Sequence, residues 1–486
     1  MKRGVDDGWR WPKAGFGSDE LKKVLEEIDS IGSLYEREKP PMCYPGTNLE
    51  YLAFHEVYRV VGRLLAKQIN QIGCHTQGKL SEGGFKRAQE MEKEVIGWIA
   101  SVLGGMPDTV DGYFCGGGTE ANIQGLWIGR EWVRKAHPIS REELELGIKP
   151  GIVVFTTPLL HYSLVKAVEL LGIGQHTRNR DVGTQEFMFD PSGSGLCFVE
   201  MDDRGQMSMP ALKDAFEEKF LHGYRRFIFA PTVGTCLMGS IDPVPEIARF
   251  IADRERDTDA GLYLHIDASF AAYTVPFLNP DFRFGFDVLA DQPERLKGMS
   301  MTVDADKMGG LPYPSGVFLC RKGLMDFVNR HADYVNGHRD DTVSGSRSAL
   351  APVMAWYLYQ RFGYDGHKEY VANCIRRRDY LVQLVKVQLP WVKVLPCSPL
   401  VNFAPMEIPI DPVKGDIPEQ VLGGELLKDY ELRSGKLPLR ADNPNGEHST
   451  VYKICVMPHH SREQLEQFVR DIAEARRAEI ARTHVV

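Results

Sequence analysis

A chain of 486 residues with 43% hydrophobic content is long enough for two or three packed units and a sizeable core. Its formal net charge of -8, with no basic block, argues against a nucleic-acid partner. No apolar run is long enough to span a bilayer, and the polar start Met1-Lys-Arg-Gly-Val-Asp-Asp-Gly-Trp9 does not read as a signal peptide. Nine scattered cysteines without a Cys-x-x-Cys pair fit a reduced, cytoplasmic protein.

In chain order, Ser18–Ile28 begins on a capping serine, carries acids in its first turn and continues with apolar residues at helical spacing, which predicts a helix. Pro40, Pro41 and Tyr44-Pro-Gly46 mark a turning segment. Helices are expected over His55–Ile69 and Gln89–Val102. From about Asp111 strands and helices alternate. The expected strands are Gly112–Cys115, Ile152–Phe155, Phe227–Ala230, Leu262–Asp267, Met299–Val303 and Gly316–Cys320. The expected helices are Thr119–Val133, Tyr162–Leu171 and Pro243–Arg256. This alternation predicts an α/β architecture, a mostly parallel sheet covered on both faces, with ligands at the C-terminal strand ends. Beyond about Asp340 a long helix, Ala351–Leu389, leads to strands Val392–Leu395, Leu400–Phe403 and Val451–Val456 and a closing helix Ser461–Arg482. Pro405–His448, rich in Pro, Gly and charge, reads as a long surface loop. The expected division is an N-terminal segment 1–70, a large α/β domain 71–338 and a smaller α+β domain 339–486.

Four sites carry chemistry. Lys307 sits between two buried strands, where a cation is costly unless it is paired or its amine is used. Alone, such a lysine is ordinarily a snorkelling loop residue; its most common chemical use is a Schiff base with a carbonyl. Gly116-Gly-Gly-Thr-Glu-Ala-Asn122 joins a strand to a helix, and its glycines, the free N–H groups of the helix start and the Thr119 hydroxyl suit a phosphate. Asp267 ends an otherwise apolar strand, either as a structural carboxylate or as the partner of a protonated pyridine nitrogen. His161 stands at a helix start, either as a cap or as a ring that stacks on a planar cofactor. Together they are the parts that a pyridoxal phosphate site needs.

With these residues in view, the sequence resembles the group II pyridoxal-phosphate-dependent amino-acid decarboxylases from about Gly112 to Leu384, and more loosely to Pro458. Gly117-Gly-Thr-Glu-Ala-Asn-Ile-Gln124 is similar to the archaeal tyrosine/aspartate branch, and His161-Tyr-Ser-Leu-Val-Lys-Ala167 to the histidine and serine decarboxylase branch. Thr232-Val-Gly-Thr-Cys236, Leu264-His-Ile-Asp-Ala268 and Ser344-Gly-Ser-Arg-Ser348 resemble the family's Gly-Thr-Thr segment, His-Val-Asp-Ala strand and Gly-Ser-Arg turn.

The resemblance implies a fold-type I, aminotransferase-like architecture and a homodimer with two active sites at its interface. It implies pyridoxal 5'-phosphate held by Lys307, with Asp267 on the pyridine nitrogen and His161 stacked on the ring. Gly117, Gly118 and Thr119 would grip the phosphate, with Thr232 and Ser269 beside the cofactor. Ser344, Gly345 and Ser346 would reach the other subunit's phosphate, and Tyr334 would protonate the carbanion. Two departures stand out. Asp306 occupies the place of a phosphate-binding histidine, where a carboxylate repels phosphate unless it is paired or protonated, and Ser269 replaces an alanine beside the ring. The implied reaction is α-decarboxylation of an L-amino acid. Tyr44, His75 and Phe270 suit an aromatic, tyrosine-like substrate or an imidazole; Arg347 or Lys79 suits aspartate or glutamate. A carbon–carbon lyase, an aldehyde-forming oxidative deaminase and a non-catalytic structural paralogue stay open as alternatives.

Overall fold

The strand that ends in Asp267 runs through the middle of a seven-stranded sheet. The structure, a computed structural model, describes residues 22–23, 38–46, 61–62, 64–77, 85–173, 193–292, 294–333, 339–408, 426, 429–438 and 448–483. The sheet strands are β1 (Val110–Cys115), β2 (Val153–Thr156), β3 (Gly195–Phe198), β4 (Arg226–Phe229), β5 (Gly261–Asp267), β6 (Met299–Asp304) and β7 (Gly316–Arg321). Their order is β1-β7-β6-β5-β4-β2-β3. The pairs from β6 through β5, β4 and β2 to β3 are parallel, and β7 runs antiparallel to both β6 and β1. All seven β5 residues are buried, as expected for a strand covered on both faces.

The two faces separate by the two-residue period of a strand. On β5, Leu262, Leu264 and Ile266 enter one core, together with Met299, Met301 and Val303 of β6. The alternate residues lie under helix α2 (Gly118–Ala136), which follows α1 (Lys86–Val102) and β1. There Tyr263 packs into a second core, whereas His265, Asp267, Ser300, Thr302 and Asp304 form a polar stripe along β5 and β6. Gly125 of α2 lets the helix approach this stripe, because a Cβ there would stand 2.2 Å from the His265 ring. Helix α3 (Tyr162–Leu170), α4 (Met209–Leu221) and α5 (Val244–Asp257) complete the large unit.

Helix α6 (Leu350–Gln388) bends at Gly363, whose φ of 63° suits glycine. It leads into a four-stranded antiparallel sheet of β8 (Lys393–Val394), β9 (Met406–Glu407), β10 (Ser434–Pro438) and β11 (His448–Tyr452), in the order β8-β9-β11-β10. Helix α7 (Arg462–Thr483) packs beside it through Leu465, Phe468 and Val469.

Several expectations need correction. Pro405–His448 is not simply a surface loop: β9 and β10 lie in it, and Met406, Ile408, Leu426, Tyr430 and Leu432 fill the small core. Its polar composition hides these anchors, and residues 409–425, 427–428 and 439–447 lie outside the described residues. Leu400–Phe403 is a turn with one bridge, Phe403 to Cys455, rather than a strand. The helix expected to reach Ile69 gives way to a turn at residues 66–68, after which Asn70–Gln71 pairs with Arg347–Ser348. Strand β3 was not anticipated, since four residues with flanking glycines show too little periodicity, and helix α4 was not anticipated either. The helix expected over Ser18–Ile28 lies almost wholly outside the described residues.

Candidate active site

The C-terminal ends of β1, β2, β4, β5 and β6 converge on one rim, with Asp267 closing β5 and Gly117, His161, Thr232 and Lys307 in the connections that follow the other strands. Lys307 lies just beyond β6, and its Nζ is 2.8 Å from Asp304 Oδ2. Burial lowers the Lys307 amine, but Asp304 first, with Cys236 and Asp267, outweighs it and holds the amine above its ordinary value.

Asp267 is the most elaborately held carboxylate of the rim. Its Oδ1 accepts from the Ser269 hydroxyl at 2.5 Å and the Ser269 amide at 3.1 Å, and its Oδ2 accepts from Asn122 Nδ2 at 3.0 Å. Burial pushes this carboxyl up, yet Ser269, Lys307, His161 and Asn122 together hold it below the usual range, so it stays ionised. Ser269 therefore supports Asp267 directly.

Asn122, on the second turn of α2, ties the stripe together. Its Oδ1 accepts from Thr302 Oγ1 at 2.7 Å and from His265 Nε2 at 2.8 Å, while His265 Nδ1 takes the Ser300 hydroxyl at 2.8 Å. Burial holds His265 below its ordinary value, so the ring is neutral. Asn122 Nδ2 also donates to Ser163 Oγ at 2.8 Å, and Ser163 Oγ lies 2.7 Å from His161 Nδ1. His161 caps α3 by accepting the Ser163 amide, and burial, opposed by Asp267, keeps it neutral. One chain of hydrogen bonds thus joins His161 to Asp267. Asn122, His265, Thr302 and Ser300 were not singled out from the sequence, although the alternation of Ser300, Thr302 and Asp304 with Met299, Met301 and Val303 was a readable signal.

Gly117 opens α2 with φ 138°, a conformation that favours glycine. A Cβ on Gly316 would lie 2.4 Å from the Gly117 backbone, and one on Gly118 would lie 2.7 Å from Asp304 Oδ2 and 2.9 Å from Ser269 Oγ. Thr119 stands partly exposed in the first turn. Thr232 donates its amide to Asp242 at 2.7 Å, while its buried hydroxyl has no partner among the described residues. Asp306 Oδ2 accepts the Ser315 amide at 2.9 Å, which closes the loop after Lys307; burial and the neighbouring Asp304 push its carboxyl up.

Ser344, Gly345 and Ser346 form a turn whose last two residues are exposed, with Ser346 Oγ 3.4 Å from Asn70 Nδ2. Tyr334 and Lys79 lie outside the described residues. Arg347 is not a free cation for an acidic substrate. It is buried, pairs with Glu92 at 2.7 Å, and donates to the Phe114 and Gly73 carbonyls at 2.7 Å each. His75 is buried too, with Nδ1 on Glu92. Phe270 stacks on Phe403 with ring centroids 4.2 Å apart, and Tyr44 faces Tyr313 at 6.2 Å.

Residues 45–396 match the family described as the pyridoxal-dependent decarboxylase conserved domain. Tryptophan decarboxylase of Clostridium sporogenes is 27% identical over 93% of this chain and 94% of its own. L-aspartate decarboxylase of Thermococcus kodakarensis is 25% identical over 96% of this chain and 98% of its own. The fold matches L-methionine decarboxylase from Streptomyces sp.590 with a TM-score of 0.72 at 19% identity, covering 96% of each chain.

Proposed function

The chain belongs to the pyridoxal-dependent decarboxylases, with pyridoxal 5'-phosphate as cofactor and an amino acid as substrate, and within that family we propose that it decarboxylates an aromatic, tyrosine-like L-amino acid. The residues of the rim fit the cofactor. The partly buried Lys307 amine suits its aldehyde, the glycine-lined start of α2 suits its phosphate, and the Thr232 hydroxyl, without a partner among the described residues, leaves a donor for it. When bound, the cofactor supplies the electron sink that takes the bonding pair left as carbon dioxide departs.

In this reading Lys307 would hold the cofactor through its amine. Asp267, kept ionised by Ser269 and Asn122, holds a proton on the pyridine nitrogen. His161, neutral and fixed through Ser163, would stack on the cofactor ring. Gly118 and Thr119 offer an amide and a hydroxyl to the phosphate. Tyr334 is proposed as the acid that returns a proton to Cα. The exposed Gly345–Ser346 turn supports a homodimer in which each subunit completes its partner's site.

The observation that carries an aromatic substrate is the engagement of Arg347 with Glu92, which removes one of the two expected receptors for an acidic side chain, while Phe270, stacked on Phe403, follows directly on Ser269. An acidic substrate is the second reading. Lys453 Nζ lies 5.1 Å above the Phe403 ring and pairs with no carboxylate among the described residues. A panel of L-amino acids scored for released amine decides between them. Amine from tyrosine or tryptophan supports the first reading, and amine from aspartate or glutamate alone overturns it.

A further inference from the structure

Asp304 is the acid that sequence reasoning passed over. It ends β6 on the face under α2, with a side chain 5% exposed. Its Oδ2 is paired with Lys307, and its Oδ1 has no hydrogen-bond partner among the described residues. The same two oxygens press on the first residue of α2: a Cβ on Gly118 would be 2.7 Å from Oδ2 and 2.9 Å from Oδ1. The helix end that suits a phosphate therefore already faces a carboxylate, and that carboxylate grips the amine that must react as a free base. An ammonium has no lone pair with which to attack an aldehyde.

We propose that Asp304 is the positioning and proton-accepting residue of the Lys307 amine, holding it as an ion pair at the start of α2 until the cofactor's phosphate occupies that helix end. The step is one proton transfer along the 2.8 Å contact. The Lys307 Nζ–H bond breaks, an Asp304 O–H bond forms, and the nitrogen keeps the electron pair as a free amine. Phosphate drives the transfer because a second anion beside Asp304 favours its neutral acid. The carboxyl is prepared for this: burial pushes it up and Asp267 adds to the rise, while Lys307 and the Gly118 amide at the start of α2 oppose both. The pair is also faced by Asp267 from β5, Tyr273 from the segment after β5, His161 from the start of α3, Cys236 from the loop after β4, Cys115 from the end of β1 and Asp306 and Tyr313 from the loop after β6.

The inference rests on the reading of Lys307 as the cofactor lysine. Its test uses the full chain freed of cofactor and mixed with pyridoxal, which lacks the phosphate, or with pyridoxal phosphate. Loading is followed by visible absorbance across pH, and the label is placed by borohydride fixation and peptide mapping. Wild-type protein loads pyridoxal slowly at neutral pH and faster as pH rises, whereas pyridoxal phosphate loads readily. Asp304→Asn cannot take the proton and removes the counter-charge, so the pH midpoint for pyridoxal falls by about one unit or more and loading at neutral pH rises about tenfold. Asp304→Glu keeps a midpoint near that of wild type. A midpoint unmoved in Asp304→Asn overturns the proposal. Added inorganic phosphate gives a readout on the unaltered protein: it speeds pyridoxal loading at neutral pH, and no acceleration contradicts the proposal. A pyridoxal phosphate label absent from Lys307 would instead sink the underlying site assignment.

Discussion

Asn122 Nδ2 donates to Asp267 Oδ2 at 3.0 Å, and the rest of the Asn122 amide is engaged by Thr302, His265 and Ser163. The hub fixes a carboxylate that must stay ionised without water around it. Hydrogen bonds to charged groups contribute about 1.5–3 kcal/mol. Asn122→Ala is therefore expected to weaken pyridoxal phosphate retention by about 10–100-fold, read by cofactor fluorescence during dialysis. Retention equal to wild type would show that Ser269 alone suffices to hold Asp267.

Arg347 is assigned to stability rather than to substrate. Removing it leaves Glu92 buried beside His75 without its guanidinium, a loss of roughly 3–5 kcal/mol for a broken buried pair. Arg347→Ala should lower the denaturation midpoint sharply, whatever substrate is present. The pH dependence follows from Glu92. Burial raises its carboxyl, but Arg347 and His75 outweigh burial and bring it from an ordinary 4.5 to about 2. A carboxyl lowered on folding adds stability above its unfolded value, and that stability fades as pH falls from about 4.5 towards 2. Wild-type stability should drop through this window, and Arg347→Ala should show a shallower drop.

Gly118→Ala tests the start of α2. The added methyl meets the Asp304 carboxylate and the Ser269 hydroxyl, not backbone, so the fold should survive. Cofactor affinity should fall at least about tenfold, because the methyl displaces the groups that flank the phosphate position and one pH-independent decade corresponds to about 1.4 kcal/mol. Unchanged affinity by absorbance titration would place the phosphate elsewhere.

Lys453→Ala separates the two substrate readings. Losing the cation above Phe403 should weaken L-aspartate, whether it acts as substrate or as competitive inhibitor, at least about tenfold more than L-tyrosine, since a paired charge contributes more than a stacked ring edge. Equal losses would remove Lys453 from any role in recognising a second carboxylate.

Much of the architecture was legible because β5 and β7 are buried, mostly apolar runs and α2 follows a glycine cluster. Lys307, Asp267 and His161 were visible as polar residues at the ends of such runs. Asp304 and Asn122 were not, since a lone aspartate in a strand or an asparagine in a helix is common, and only the contacts of Asn122 with Thr302 and Asp267 and of Asp304 with Lys307 and the start of α2 give them meaning. Arg347 misled for a related reason: a Gly-Ser-Arg turn does not say whether its guanidinium points outward or, as here, into a buried pair with Glu92. The region after Pro405 misled because its core anchors, Met406, Tyr430 and Leu432, are too widely spaced among polar residues to show a period.

The central claim is that Lys307 carries the cofactor. Borohydride reduction of the cofactor-loaded protein, followed by digestion and mass spectrometry, tests it most directly. A phosphopyridoxyl mass is expected on the peptide that contains Lys307, at near-stoichiometric yield and absent from Lys307→Ala. A label on any other lysine, or no label on protein that releases amine from an amino acid, would contradict it.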